Sequence, residues 1–541
     1  MNFIEKIIED VSDKSKLKFR FPPEPNSSLH IGHAKSIILN FGLSKKYGVP
    51  CVLRFDDTNP NTEKSEFIDS MIKDIMWLGY KPDDITYASD YFDSIIGVAL
   101  HLINLGLAYV DHSTSEEIAE MKGTTTSPGV NSSYRSKSVS ENRSDFDKMR
   151  SGDLKKCVLR AKIDMSHPNM IMRDPVLMRC IDTEHYRLGN TYKVYPMYDF
   201  AHPLSDLFEK ISHSLCTLEF VPHRPLYNWV IENTIINSGV TPTQIEFNRL
   251  NIGHTILSKR KLNELIDNNL IDSLDDPRIP TIKGLKRRGY TPNSIRNFCE
   301  KVGWTKKDSL TDYNLLESCL RDELNKTADR LMGVSDPIKL TITNWDEIHK
   351  PTNRKLKDTM WLDIENNPED EDTVYRTVAF NKNIWIERDD FKEVGNRKYH
   401  RLKLDGEVRL KGAYVVKAHD CIKDSNGEII EVLCTADPNS KSGNSIDRKI
   451  KGTIHWVSQD FGMEAEFREY GKLFNDEKPN GVESFNKNSL IVKKGYVEPE
   501  ALSTEGKPIQ FMRKGYYILD EKDSVNDRLI FNKSVSLKEG W

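Results

Sequence analysis

The chain has 541 residues, 38% of them hydrophobic and 30% charged, with 78 lysines and arginines against 82 aspartates and glutamates. That length predicts three or four domains at roughly 150 residues each, and the apolar fraction suffices for packed cores, which excludes a wholly disordered chain. No apolar run approaches the roughly 18 residues of a membrane span, and a net charge of −4 gives no global sign of a nucleic-acid partner.

The start, MNFIEKIIEDVSDKSK, mixes acids and bases without a secretory or transit pattern, so a cytoplasmic protein with no membrane partner is expected. The cysteines, at 51, 157, 180, 216, 299, 319, 421 and 434, form no C-x-x-C pair. This argues against a disulfide framework and against structural zinc.

In chain order, KLKFRF (16–21) reads as a strand, and Ile31, Ala34, Ile38 and Phe41 form a helical stripe. VPCVLRF (49–55) is a second strand, ending in Asp56-Asp57. Phe67, Ile68, Met71, Ile72, Ile75 and Leu78 mark a second helix, and a third runs from about Ser94 to Leu105, stopped by Gly106. LAYVD (107–111) is another strand, and this order predicts a parallel α/β sheet. Residues 122–152 are rich in Ser, Thr, Asn and Gly, and CVLRAKIDM and MIMRDPVLMRC follow, so 111–195 reads as an insertion into the first domain. The α/β pattern resumes with YPMYDFAHP, HSLCTLEF, PLYNWVIENTII and IEFNRLNI. Residues 262–330 are mostly helical, and beyond 335 short alternating segments, with a hairpin turn at SNG (425–427), suggest barrels or sandwiches.

Chemistry concentrates in FRFPPEPNSSLHIGHAKS, where His30 and His33 open the first helix. The pair reads three ways. It can be a surface pair, it can ligate a metal though no third ligand is evident nearby, or it can donate to phosphate at a helix N-terminus on the ligand edge of an α/β sheet. Far downstream, TILSKRKL (255–262) is a basic loop in which Lys259 can grip triphosphate oxygens. No G-x-x-x-x-G-K-[ST] occurs, so phosphate binding does not use a P-loop. The basic runs SKRKL and KGLKRRGY are each more often a solvated face than a binding site.

HIGH followed by an LSK loop resembles the signature pair of class I aminoacyl-tRNA synthetases, a family of multidomain enzymes. RFPPEPNSSLHIGHAKSIILNFG, LRFDDTNP, YPMYDFAHPLSD, HSLCTLEF, LSKRKL, DDPRIPTIKGLKRRGYT, EVRLKGAYVVKA and GTIHWVS are similar to the glutaminyl members of its glutamyl/glutaminyl subgroup, over nearly the whole chain. The resemblance implies α/β plus all-β architecture. A Rossmann-type catalytic domain (1–110 and 196–261) carries an inserted acceptor-end-binding domain (111–195). A helical subdomain (262–334) and two antiparallel β-barrels for the anticodon (335–541) follow.

It also implies ATP-dependent ligation of L-glutamine to a glutamine-accepting tRNA through a glutaminyl-adenylate, with Mg2+ and as a monomer. Carried over, His30, His33 and Lys259 are catalytic. Glu24, Pro25, Asn26, Ile31, Gly32, His33, Ala34, Lys35, Ser36, Ile37, Thr217, Arg249, Leu250, Leu257, Ser258 and Lys259 bind ATP. Asp56 and Tyr198 hold glutamine, and no protein side chain is expected to bind metal. Thr305, Lys306, Lys307 and Asp308 meet the inside of the tRNA, and Arg401, Arg409, Gln510 and Arg513 its anticodon. Taken singly, Asp56 is as readily a turn former, Tyr198 a packed aromatic, and each arginine a solvated side chain.

Cys216 stands where glutamyl relatives tend to place an arginine, which favours glutamine over glutamate. Four departures matter: PNSSLH replaces the family's PNGYLH, Thr125 replaces a leucine wedge, Pro222 an aspartate that reads acceptor pairs, and His400 a lysine near the anticodon. Pro222 leads to an expectation of altered discrimination at those pairs. The competing readings are a glutamyl enzyme of the same fold, a non-catalytic tRNA-binding paralogue, and a metal-dependent hydrolase using the two histidines.

Overall fold

Two short strands, β1 (Phe19–Phe21) and β2 (Cys51–Phe55), are buried along their whole length, as strands covered on both faces must be. The computed structural model describes residues 2–234, 236, 238–350, 358–369, 372–396, 398–525 and 528–538. The chain forms two compact units, Met1–Ile252 with Arg296–Thr311, and Gly253–Ile295 with Asp312–Trp541.

In the first unit β1 pairs parallel with β2, and β2 with β3 (Asp84–Tyr87), a strand the periodicity did not reveal. Helix α1 (Ile31–Tyr47) connects β1 to β2 and α2 (Ser65–Trp77) connects β2 to β3. Gly48, at φ 66°, ends α1 in the left-handed conformation that glycine adopts without a Cβ penalty. Helix α3 (Phe92–Asn104) follows, and Gly106 terminates it at φ 70°.

The LAYVD strand is present as β4 (Ala108–Asp111), but it is not part of a parallel sheet. It pairs antiparallel with β5 (Val158–Ala161), which continues to β6 (Val176–Cys180) and β7 (Val194–Pro196). The reason is long-range: β4 finds its hydrogen-bond partner some 50 residues downstream, and no local pattern encodes that choice. Arg160, fully buried on β5, donates to Asp111 at 2.7 Å.

The chain then returns through helix α4 (Tyr198–Phe208), strand β8 (His213–Thr217), helix α5 (Arg224–Glu232) and strand β9 (Thr243–Phe247), with β8 and β9 parallel. Lys18 N–H donates to Ser212 Oγ at 2.9 Å and Ser212 N–H to Lys18 O at 3.1 Å, which ties β8 beside β1.

The second unit opens with helix α6 (Lys259–Asp267) and includes the helix Tyr313–Thr327. Two seven-stranded sheets dominate the rest. They are mixed rather than purely antiparallel: Pro337–Ile342 runs parallel to Ile429–Ala436, and Met463–Tyr470 parallel to Leu529–Val535. In one sheet the two edge strands, Thr453–Ile454 and Val457–Ser458, are consecutive pieces of a single stretch. The same holds for Arg330–Leu331 and Gly333–Val334 in the other. The turn at 425–427 joins Val415–Lys423 to Ile429–Ala436 as an antiparallel hairpin, with Gly427 at φ 85°. Trp345, Phe380 and Trp456 fill one core, and Phe467, Phe511 and Phe531 the other.

Candidate active site

His30 sits at the N-cap of α1 with an extended backbone, and its Nδ1 accepts the Gly32 N–H at 3.1 Å. His33 returns the bond: its Nδ1 accepts the His30 N–H, also at 3.1 Å. This is a capping box built from imidazoles rather than from a hydroxyl and a carboxylate. The ring centroids lie 3.8 Å apart. Because both Nδ1 atoms accept, the hydrogen bonds assign the proton of each neutral ring to Nε2. Burial holds His30 well below the usual histidine range and pulls His33 down to about 4. At neutral pH the pair therefore presents uncharged Nε2–H donors at the positive end of a 17-residue helix.

Lys35 lies one turn deeper in α1. Its ammonium is buried, donates to Asn248 O at 2.9 Å, and is drawn down to about 8 by burial. Asn248 in turn exchanges bonds with Thr305: its N–H donates to Thr305 O, and its Oδ1 accepts the Thr305 N–H, both at 2.8 Å. Arg249 N–H donates to Asp308 Oδ1 at 3.0 Å. The structure thus joins α1 and the end of β9 to the exposed loop of Thr305, Lys306, Lys307 and Asp308, two groups that sequence reading had assigned to different ligands. Ile31, Ala34, Ile37 and Leu250 are buried in the core, whereas Gly32 and Ser36 are half-buried. Asn26 Nδ2 donates to the exposed Glu24 carboxylate at 2.6 Å, Pro25 O accepts the Lys64 N–H, and Thr217 Oγ1 donates to Glu219 at 2.7 Å.

At the carboxyl end of β2, Asp56 is 3% exposed. Its Oδ1 accepts Arg54 Nε at 3.1 Å, while its buried Oδ2 has no hydrogen-bond partner among the described residues. Burial lifts the Asp56 carboxyl to about 7 despite the adjacent guanidinium. Arg54 also donates to Glu209 and Asp206, both at 2.8 Å, and Arg20 to Asp206 at 3.0 Å. Two guanidiniums thus face three carboxylates, which leaves one negative charge over when all are ionised, and the unpaired oxygen lies on Asp56.

Tyr198 stacks on His202 with centroids 5.0 Å apart. Burial and the nearby Asp56 charge keep its phenol well above the ordinary range, a neutral donor. A second unpaired buried oxygen, Oε2 of Glu63, lies in the same acidic neighbourhood; burial and the charges of Asp57, Glu24 and Asp56 push this carboxyl up to about 8. Cys216 is half-buried, and burial raises its thiol to about 12, so it stays neutral. The guanidiniums whose charge reaches it are committed elsewhere, Arg20 to Asp206 and Arg224 to Glu246.

In the second unit, Leu257 is half-buried, Ser258 and Lys259 are exposed, and Ser258 precedes α6. This stretch is clasped by residues 472–485. His254, at φ 60°, donates its N–H to Glu477 O at 2.9 Å and bonds through its ring to Phe474 O at 3.1 Å and Lys472 Nζ at 3.0 Å. Ile256, Leu262 and Leu265 pack with Leu473 and Phe474.

Among the anticodon candidates, Arg401 and Arg513 converge on the buried Asp390, Arg513 through two bonds of 2.7 and 2.6 Å. Arg409 instead donates to Ser440 O at 2.8 Å, and Gln510 is 8% exposed within a strand. His400 is exposed. Thr125 is exposed on a loop whose carbonyls at Lys122, Thr124 and Ser127 all accept from the buried Arg173 Nη1. The Pro222 carbonyl accepts Asn169 Nδ2 at 2.6 Å.

Sequence reading missed Arg20, Arg54, Asp206, Glu209 and Glu63. A signal existed for the arginines: each interrupts an otherwise apolar strand, FRF and LRF, where a charge is tolerated only with a buried partner.

Residues 16–326 match the model of tRNA synthetases class I (E and Q), catalytic domain. Residues 328–437 and 453–520 each match a model of tRNA synthetases class I (E and Q), anti-codon binding domain. A glutamine–tRNA ligase of Vibrio parahaemolyticus is 48% identical over 552 residues, covering 100% of this chain and 97% of that protein. One from Clostridium perfringens is 49% identical over 554 residues, covering 100% and 98%. A solved glutamate tRNA ligase from Elizabethkingia meningosepticum overlays with a TM-score of 0.42 at 16% identity, over 57% of this chain and 70% of that one. The chain belongs to the class I tRNA synthetases of the E and Q type.

Proposed function

We propose that this protein ligates L-glutamine to its tRNA at the expense of ATP, and that the unpaired Oδ2 of Asp56 seats the α-ammonium of glutamine. That oxygen is the observation that carries the reading. A buried carboxylate oxygen without a donor is costly, and an ammonium supplies both the hydrogen bond and the missing positive charge. Arg54 fixes the carboxylate from below, and Tyr198 offers a neutral O–H to the side-chain amide. Neutral Cys216 leaves no cation for a substrate γ-carboxylate, which favours glutamine over glutamate.

The glutamine carboxylate attacks the α-phosphorus of ATP. An O–P bond forms, the bond to the β-phosphate bridge breaks, and pyrophosphate leaves. The tRNA terminal ribose hydroxyl then attacks the adenylate carbonyl and releases AMP. Catalysis is positioning plus charge stabilisation. His30 and His33 donate Nε2–H to the triphosphate as charge builds, and Lys259 adds a mobile point charge. The ATP set is Glu24, Pro25, Asn26, the segment Ile31–Ile37, Thr217, Arg249, Leu250, Leu257 and Ser258. Among the described residues no three His, Cys, Asp or Glu side chains converge as a metal site. Mg2+, expected to travel with ATP, would neutralise charge on the leaving pyrophosphate.

In this reading 111–195 grips the acceptor end, and Thr305, Lys306, Lys307 and Asp308 meet the tRNA. Each seven-stranded sheet, one of them starting at Arg330 ahead of 335–541, closes as a barrel, which the single-stretch edges support. Arg401, Arg409, Gln510 and Arg513 read the anticodon, and the protein acts as a cytoplasmic monomer. The test is Asp56→Ala and Tyr198→Phe in steady-state charging. Asp56→Ala should raise KM for glutamine far more than KM for ATP; equal effects on both substrates would contradict the ammonium seat.

A further inference from the structure

The inserted four-stranded sheet carries two thiols with no place in the chemistry above. The antiparallel register that pairs Val158 with Arg179 and Leu159 with Met178 sets Cys157, one position further along, opposite Cys180. Both thiols point at one main-chain oxygen: Cys180 Sγ donates to Leu154 O at 3.3 Å, and Cys157 Sγ to the same oxygen at 4.0 Å. Cross-strand neighbours sit at Cα separations of roughly 4.5–5.5 Å, inside the window of about 4.4–6.8 Å in which a disulfide closes. Cys157 is 5% exposed, while Cys180 is half-buried and reachable from solvent. Both are free thiols.

We infer that Cys157 and Cys180 form a reversible dithiol–disulfide site, oxidised by hydroperoxides. Cys180 is the attacking sulfur. It is the more solvent-accessible of the two, and the adjoining Cys157 thiol holds its pKa below the usual thiol range. The Cys180 thiolate attacks one peroxide oxygen; the O–O bond breaks, a water forms with one added proton, and a sulfenic acid remains on Cys180. The Cys157 sulfur then attacks the Cys180 sulfur. The S–S bond forms, the S–O bond breaks, and the hydroxyl leaves as a second water with the Cys157 proton. Two thiols and one hydrogen peroxide yield one disulfide and two waters, and a small thiol reverses the reaction by exchange.

The site is this chain's own pairing of two strands. Leu154 O, which accepts from both sulfurs, places them on the same side of the strand pair. Of the six other cysteines, the buried Cys51, Cys299, Cys319 and Cys434 supply the internal control.

The experiment treats full-length protein with a few equivalents of hydrogen peroxide, blocks residual thiols with N-ethylmaleimide, and maps peptides without reduction. Expected is a cross-linked peptide joining Cys157 to Cys180, lighter by two hydrogens than its reduced halves. It should vanish on dithiothreitol treatment, and Cys51, Cys299, Cys319 and Cys434 should remain reduced. Cys180→Ser should charge tRNA as the reduced wild type does and leave Cys157 unoxidised at that dose. Cys157→Ser, as the second variant, should halt at the sulfenic acid, trapped by dimedone on Cys180. Recovery of Cys180 as sulfinic acid with Cys157 still alkylatable, or of no change at either residue, would overturn the proposal.

Discussion

His33 completes the cap of the helix it lies in: its Nδ1 accepts the His30 N–H at 3.1 Å, and this bond leaves the ring proton on Nε2. On the proposed reading, structure and catalysis depend on different nitrogens of one ring, and substitutions can part them. His33→Ala should cost about 1 kcal/mol of stability as a lost cap and lower charging by roughly 10²–10³-fold. His33→Asn can keep the cap through its Oδ1 but cannot replace the Nε2 donor. Its melting temperature should return towards wild type while ATP–pyrophosphate exchange stays low. An asparagine variant that regains both would mean the ring acts only as a cap.

Asp56 carries a pH signature. Its carboxyl is lifted to about 7 in the fold against an ordinary 3.8. Between these values the folded state holds a proton that the unfolded chain has lost. Its stabilising contribution is thus full below about 3.8 and is lost as pH rises through about 7. Glutamine binding runs the other way, because the ammonium needs the ionised carboxylate. KM for glutamine should fall as pH rises through about 7, and Asp56→Asn should flatten that limb. The same variant should lower kcat/KM by roughly 10²-fold or more, since it strips the partner from a buried charge. A wild-type KM that is flat from pH 6 to 8 would contradict the assignment.

Cys216 lies where a cation would favour a substrate carboxylate. Cys216→Arg should depress glutamine charging by roughly 10²-fold and bring glutamate charging above background, measured with each labelled amino acid in parallel. Glutamine charging left intact by the arginine would place selectivity elsewhere, with Glu63 the first residue to examine.

These residues also mark how far the sequence could be read. The helices Ile31–Tyr47, Ser65–Trp77 and Phe92–Asn104 were legible because their apolar spacing, and for the last its stop at Gly106, are local. LAYVD was legible as a strand but not as a partner of Val158–Ala161, because pairing across an insertion leaves no periodic trace. Asp56 and Tyr198 were assigned through resemblance. The arginines beneath Asp56 were not, since hydropathy patterns place charges on the surface. The imidazole cap was hidden for a different reason: histidine is not a usual capping residue, and only the placed nitrogens reveal it.

The clasp of residues 472–485 on the Lys259 stretch yields a test remote from the chemistry. Phe474 is fully buried with Ile256 and Leu262. Phe474→Ala should loosen this cluster at a cost of about 3–5 kcal/mol. KM for ATP should rise several-fold, while filter binding of tRNA changes little. Loss of tRNA binding with an unchanged KM for ATP would show that the clasp serves the β region rather than the loop.

The most direct test of the whole reading is charging of total tRNA with labelled glutamine and, separately, labelled glutamate, using wild type, His33→Ala and Lys259→Ala. Glutamine charged by the wild type, glutamate not, and a collapse of the rate in both variants is the expected result. Charging with glutamate instead would contradict the role given to Cys216, and charging with neither would contradict the proposed activity.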